Sequence, residues 1–467
     1  MEIAIPRAHP RVDEKSGASA VRICSVHRWG CHVSTNLFRL MFKFHHPSFL
    51  RSVPFFSTAV LCTLAPGAFA AAEGVSPSAD GNNAWMLTST ALVLFMTIPG
   101  LALFYGGLVN RRNVLSVLMQ CFSLAAVLSL VWLVLGYSMS MGKLGGISGG
   151  MSAFLHQGVG PDKILASAFQ MTFFIITPAL IIGTFVERIK FSSMLVFSVI
   201  WSLLVYAPVC HVTWFGGFFQ QMGVVDLAGG IVVHITAGVA ALVACLMVGK
   251  RHKPEPPHNL PMTVTGTAML WVGWFGFNAG SQGAATNEAA MTLFVTHISA
   301  SAAACTWAVI EWFINRKPSV LGTVTGAVAG LAAITPASGV AGPAGAMLIG
   351  IVSAFVCWWA SVRLKNRFRY DDSLDVAGVH GVGGIVGTLL VSIVGLKAFG
   401  GFGNFEFFKQ FGLQLMATVL TILYTAAVTY AILVVIRSKM GLRVSATDET
   451  LGLDEVSHGE SAYNDII

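Results

Sequence analysis

The chain has 467 residues, of which 55% are apolar and only 10% charged, against about 25% charged for a soluble globular chain. With a mean hydropathy of +0.73, this composition excludes a soluble enzyme and fits a polytopic membrane protein. The positive charges behind the net +7 fall largely in short connections between apolar runs, so they do not indicate nucleic acid.

Residues 1–40 are polar and show no helical period, whereas residues 41–70 read as a secretory signal. Lys43 and Arg51 supply a positive start, Val53 to Leu64 an apolar stretch, and Ala68-Phe69-Ala70 a small-residue cleavage site. A signal peptide begins at its own Met. Residues 1–40 are therefore expected to be a non-mature extension, with the mature chain starting near Ala71 on the outside.

Apolar runs then follow at 84–109, 114–141, 164–186, 191–209, 227–249, 262–280, 288–314, 319–337, 343–363, 376–397 and 407–437. Each approaches or exceeds the roughly 20 residues that cross a bilayer core as a helix. The fold expected is all-α, with eleven transmembrane helices. Lys and Arg decide the orientation: sixteen lie in the connections that follow the odd-numbered runs, from Arg111 to Arg443, and four on the other side, at Lys143, Lys163, Lys397 and Lys409. That places the N-terminus outside and the residues after 440 in the cytoplasm. The transmembrane domain is read as 71–440 and the tail as 441–467. The eight cysteines form no CxxC pair, and most sit in apolar runs as small hydrophobes; no metal site or other cofactor is expected.

Two runs break the apolar rule. Asp226-Leu-Ala-Gly-Gly-Ile-Val-Val-His234 opens the fifth, and Asp375-Val-Ala-Gly-Val-His380 opens the tenth. An ionisable side chain at a helix centre in the bilayer costs about 2.5–3.5 kcal/mol on insertion scales, which makes such residues functional by default. A single imidazole in an apolar helix is as often a packed hydrogen-bonding group. Two with matching entrances point to a pathway. Five helices per half would invert the second half, giving two inverted five-helix repeats and a long final helix, with the site between the halves. Ile-Thr-Pro-Ala at 176–179 and again at 334–337 is weak support, since four residues match readily by chance. Asp226 precedes His234 by about 12 Å of helix rise and is no direct partner of that ring. It is expected to cap the helix or to act on a bound cation through its charge, and Asp375 to do the same on the other side. His380 lies only about 7.5 Å past Asp375, so the two rings meet only if both entrances are recessed.

From about Asn82 to Asn464 the sequence resembles the ammonium transporters, relatives of the Rhesus glycoproteins. The resemblance rests on Ala91-Leu-Val-Leu-Phe-Met-Thr-Ile-Pro-Gly100, Leu103-Phe-Tyr-Gly-Gly107, Val186-Glu-Arg-Ile-Lys-Phe191, Asp226-Leu-Ala-Gly-Gly230, Pro257-His-Asn-Leu-Pro261, Gly273-Trp-Phe-Gly-Phe-Asn-Ala-Gly-Ser281 and Gly378-Val-His-Gly381. It implies an outer cation site at Phe173, Trp214 and Ser281, a gate of two stacked phenyl rings at Phe169 and Phe277, and a pore lined by His234 and His380, with Asp226 and Asp375 in support. Aromatic faces attract a cation, and the Ser281 hydroxyl can accept a hydrogen bond that ammonium donates and potassium cannot. Burying an isolated ammonium is prohibitive, so the substrate is expected to bind as NH4+, lose its proton near the gate and cross as NH3. The route of the proton is left open.

The tail motifs Gly441-Leu-Arg-Val444, Gly452-Leu-Asp454 and His458-Gly-Glu-Ser-Ala-Tyr463 belong to the same resemblance. It implies a regulatory tail packed on the cytoplasmic face of a homotrimer in the inner membrane, with a PII-type signalling protein as a possible partner. By composition alone the tail reads as disordered. A sensor would need a signalling module that some thirty tail residues do not supply. A membrane metalloenzyme would need a third ligand, and none lies near either His.

Overall fold

In the computed structural model, residues 77–463 are described; the expected extension 1–40 and signal peptide 41–70 lie outside the described residues. Apolar runs become helices because a bilayer leaves backbone N–H and C=O groups no partner but each other. In chain order the helices are α1 (Ala79–Leu108), α2 (Val114–Met141), α3 (Pro161–Phe185), α4 (Phe191–Met222, interrupted at residues 215–217), α5 (Gly230–Val248), α6 (Leu260–Gly280), α7 (Asn287–Asn315), α8 (Val320–Ile334), α9 (Pro343–Phe368), α10 (Ala377–Val394) and α11 (Phe407–Lys439). Nine of these, among the described residues, are long and apolar enough to cross a membrane. The other two expected runs form α6, which carries Trp, Thr and Asn along its 21 residues, and the 15-residue α8, which stops one residue before Thr335-Pro336.

Two of the helices begin deep in the protein. The carboxylate of Asp226 accepts hydrogen bonds from the N–H groups of Gly229, Gly230, Ile231 and Val232 at 2.7–3.3 Å. These are the donors that a helix start leaves unpaired, so α5 can start buried without an orphaned backbone. Gly229 has φ +113° there, a conformation open to glycine but strained for other residues. The first turns of both α5 (Gly230–Ile235) and α10 (Ala377–Gly381) are π-wound, a local widening found often at functional sites.

α5 and α10 cross in antiparallel sense where neither carries a side chain. A Cβ on Gly238 would lie 2.1 Å from Cα of Gly381, and one on Gly384 would lie 2.8 Å from Cβ of His234. This backbone contact brings the two imidazole-bearing turns together.

At the face where α3 and α5 end, Arg188 is fully buried. Its guanidinium donates to the carbonyls of Gly249, Val186, Thr184 and Asp371 and to the Ser373 hydroxyl. Arg251 beside it pairs with Glu187 at 2.8 Å and Asp371 at 2.9 Å. Burial alone would lower the pKa of Arg251, but the two carboxylates override it and raise it. The residues after α11 pack on this face: Val444 N–H donates to Arg188 O, Asp454 accepts from the Ser116 N–H in the first turn of α2, and Tyr463 O–H meets His258 Nε2 at 3.0 Å. A short helix, α12 (Ala446–Leu451), opens with a Ser445/Asp448 capping box. Part of the polarity that reads as disorder in the sequence is therefore used in hydrogen bonds to the start of α2 and to the connections after α3 and before α6.

Candidate functional site

The site runs between the α3, α5, α6 and α10 helices. Trp214, the last residue before the break in α4, is half-buried and donates from Nε1 to the carbonyl of Asp226 at 2.7 Å. The acid that caps α5 thus also anchors the indole. Phe173 meets Trp214 edge to face at 6.0 Å and 90°. Ser281 stands one turn beyond Phe277 at the end of α6 and donates its hydroxyl to the Phe277 carbonyl at 2.8 Å, which leaves the oxygen lone pairs free to accept.

The stacked ring pair is Phe173 with Phe277, at 4.3 Å and 29°. This corrects the expectation that Phe169 stacks on Phe277: Phe169 lies one turn earlier on α3 and meets Phe173 edge-on at 5.1 Å. Positions i and i+4 share a helix face, so spacing alone does not say which of the two turns lies level with Phe277. Both rings of the stacked pair are buried.

The stack continues. His234 lies over Phe277 at 6.0 Å and 27°, over Trp274 at 5.4 Å and 23°, and over His380 at 5.3 Å and 20°. Trp274 is fixed by a hydrogen bond from Nε1 to Thr335 Oγ1. The two Nδ1 atoms are 3.3 Å apart, so one hydrogen lies between them and the tautomers of the rings are linked. His234 Nε2 is buried without a hydrogen-bond partner. Beside the pair lies a cavity of about 10 Å³ lined by Phe104, Ile176, Trp274, Phe277, His234 and His380, room for about one water-sized molecule. His380 also lines a second, open cavity of about 200 Å³ that contains Asp375, Ser373 and Glu255.

The second half's cap differs from the expectation. Asp372, not Asp375, reaches the start of α10: its Oδ2 accepts the Ala377 N–H at 2.7 Å, and it is buried. Asp375 instead bears the positive φ of +57° and pairs with Lys365 at the cavity wall. Burial pushes the Asp375 carboxyl up to about 6, against the pull of the Lys365 amine.

The Ammonium Transporter Family description matches residues 84–463. The chain belongs to this family. It is 44% identical over 396 residues to the ammonium transporter of Aquifex aeolicus, covering 82% of this chain and 93% of that one. It is 42% identical over 400 residues to the ammonium transporter of Bacillus subtilis, covering 82% and 99%. Among solved structures it superposes on Mep2 of Saccharomyces cerevisiae with a TM-score of 0.75 at 32% identity, covering 83% of this chain and 92% of that one. A structure titled Sensor Amt Protein gives a TM-score of 0.77 at 25% identity, covering 82% and 99%.

For a member of the ammonium transporters, two further residues go unnoticed in the sequence. Asp372 hides in an Asp-Asp pair, and its position eight residues before His380, the same as Asp226 before His234, is the signal that could have flagged it. His211, one turn before Trp214, is fully buried and contacts the Ser140 carbonyl through Nδ1 at 3.0 Å, with Nε2 unpartnered. It holds α4 against α2, and nothing in the sequence separates it from a packed core imidazole.

Proposed function

We propose that this ammonium transporter recruits NH4+ at Trp214, Phe173 and Ser281, strips its proton near the Phe173–Phe277 pair and passes NH3 along His234 and His380. The observation that carries this reading is the unbroken column of near-parallel rings beside a cavity with room for one small molecule. A half-buried indole and a serine oxygen with free lone pairs suit a small cation that both attracts π faces and donates hydrogen bonds. Past the stacked phenyls the wall is apolar except for the two imidazoles. A hydrated cation does not fit there, and a bare one is too costly to bury, while NH3 is neutral and small. The unpartnered Nε2 of His234 can donate to its lone pair or accept from its N–H, according to which ring carries the shared Nδ1 hydrogen.

Eleven crossings with the Trp214 side outside, the tail in the cytoplasm and two inverted halves complete the reading, supported by the antiparallel crossing of α5 and α10 and the bias of Lys and Arg. A homotrimer in the cell's inner membrane, with the packed tail as the contact for a PII-type protein, follows from the family. The test is uptake into proteoliposomes by the wild type, Trp214→Leu, His234→Ala and His380→Ala, with potassium as competitor and ammonium-dependent current recorded alongside. The Trp change is expected to weaken discrimination against potassium, and each His change to abolish or reroute conduction. Failure of the wild type to take up ammonium, or His variants that behave as wild type, would overturn it.

A further inference from the structure

The open cavity beyond His380 carries a feature that conduction alone does not use. Asp375 is one of its wall residues, held in a left-handed conformation that non-glycine residues seldom adopt. Its Oδ1 is taken by the amine of Lys365, which also donates to the Asp372 carbonyl at 3.4 Å. A primary ammonium cradled by a carboxylate and a carbonyl has the same chemistry as the substrate. The amine stands on the last turns of α9, and its partner lies a few residues before the imidazole that ends the pathway. The pair is not sealed: the Lys365 side chain is 24% and that of Asp375 30% exposed, so a free cation in the cavity can compete for the carboxylate. Two buried cations near this face are committed, Arg251 to Asp371 and Glu187, and Arg188 to backbone carbonyls.

We propose that Lys365 is a tethered cation that occupies Asp375 at the exit and so keeps ammonium from being retained there after it has crossed. NH3 that leaves the histidines takes up a proton from water in the cavity and becomes NH4+. A bare carboxylate at that point would hold it and slow the next cycle, whereas a carboxylate already paired releases it. Lys365 thereby determines how strongly cytoplasmic ammonium inhibits further uptake. It does not touch the substrate in the pore.

This inference rests on the transport reading above and is tested separately from it. Uptake is measured at about pH 8, well above the usual carboxylate range, in proteoliposomes preloaded with rising ammonium, for the wild type, Lys365→Met, Lys365→Arg and Lys365→Met/Asp375→Asn. For Lys365→Met the internal concentration that halves uptake should fall by up to about fivefold, the upper end of the scale of one partly exposed ion pair. Lys365→Arg should stay within about twofold of wild type, and the double variant should return towards it. A structural role alone would lower protein yield or uptake without moving the half-inhibitory concentration. An unchanged value in Lys365→Met, or no recovery in the double variant, would overturn the proposal. A wild type that does not transport would instead remove the reading it rests on.

Discussion

Asp226 and Asp372 hold the same place on two antiparallel helices, each eight residues before the histidine in the opening π turn. The Asp226 carboxylate accepts from four N–H groups at the start of its helix, and the Asp372 carboxylate from the Ala377 N–H that begins the other. Both are buried, so neither helix start has water to turn to. The consequence for stability is direct. Asp226→Ala leaves four buried donors without partners, each worth about 1–3 kcal/mol, and should unfold the protein or lower its thermal midpoint in detergent far more than an average core change. Asp226→Asn keeps one acceptor oxygen and should fall between. Asp372→Ala removes one recorded bond and should cost less than Asp226→Ala; the reverse order of midpoints would refute the assignment of caps.

The ring assignment gives a second expectation. Phe173 is stacked on Phe277, while Phe169 touches only the edge of Phe173. Phe173→Ala should remove the stack, so potassium and water leak and ammonium selectivity falls by at least about tenfold, the equivalent of about 1.4 kcal/mol. Phe169→Ala should leave the stack in place and change selectivity by less. Ion-flux assays on the two variants in liposomes check this, and a larger leak from Phe169→Ala would return the gate to the turn the sequence first indicated.

The ion pairs under the tail have a pH signature. Burial raises the Asp371 carboxyl, but the Arg251 guanidinium outweighs it and leaves the group below its ordinary value. A carboxylate lowered in the folded state adds stability that is present above its unfolded value near about 3.9 and is lost as pH falls through the lower folded one. Arg251→Met should remove that contribution. Its stability should then drop relative to wild type most at neutral pH, with the difference shrinking below about pH 4. Thermal unfolding from acid to neutral pH reads this, and a gap that widens in acid would contradict it.

How much of this was legible depended on the kind of signal. Apolar length gave the helices because the bilayer imposes it, and Asp226 stood out because a charge before a span is rare. The register of Phe169 against Phe173 was not legible, since both lie on one face and only the tertiary position of Phe277 selects between them. Asp372 was masked by Asp375, whose Asp-x-Ala-Gly string copied that of Asp226 although it stands five residues before its histidine rather than eight, and whose side chain turned to Lys365. The meeting of the imidazoles was hidden by simple rise counting. That counting assumes helices that start at the membrane surface, whereas α5 starts buried on the Asp226 carboxylate.

The meeting point itself supplies the last expectation. Gly238 and Gly381 bring the α5 and α10 backbones into contact, and a Cβ at 238 would sit 2.1 Å from a backbone carbon that belongs to the turn of His380. No rotamer relieves such an overlap, because it involves Cβ and backbone on both sides; the helices must separate. Overpacking of this kind costs about 1–3 kcal/mol, which a protein of this size can tolerate, but it must also spread the 3.3 Å contact between His234 and His380. Gly238→Ala should therefore remain folded, with a thermal midpoint a few degrees lower, and yet lose most of its ammonium uptake. Gly412, on α11, has nothing within 4 Å of an added Cβ, so Gly412→Ala serves as the matched control and should change neither. Full uptake by Gly238→Ala would mean that the imidazole contact is not what conduction requires.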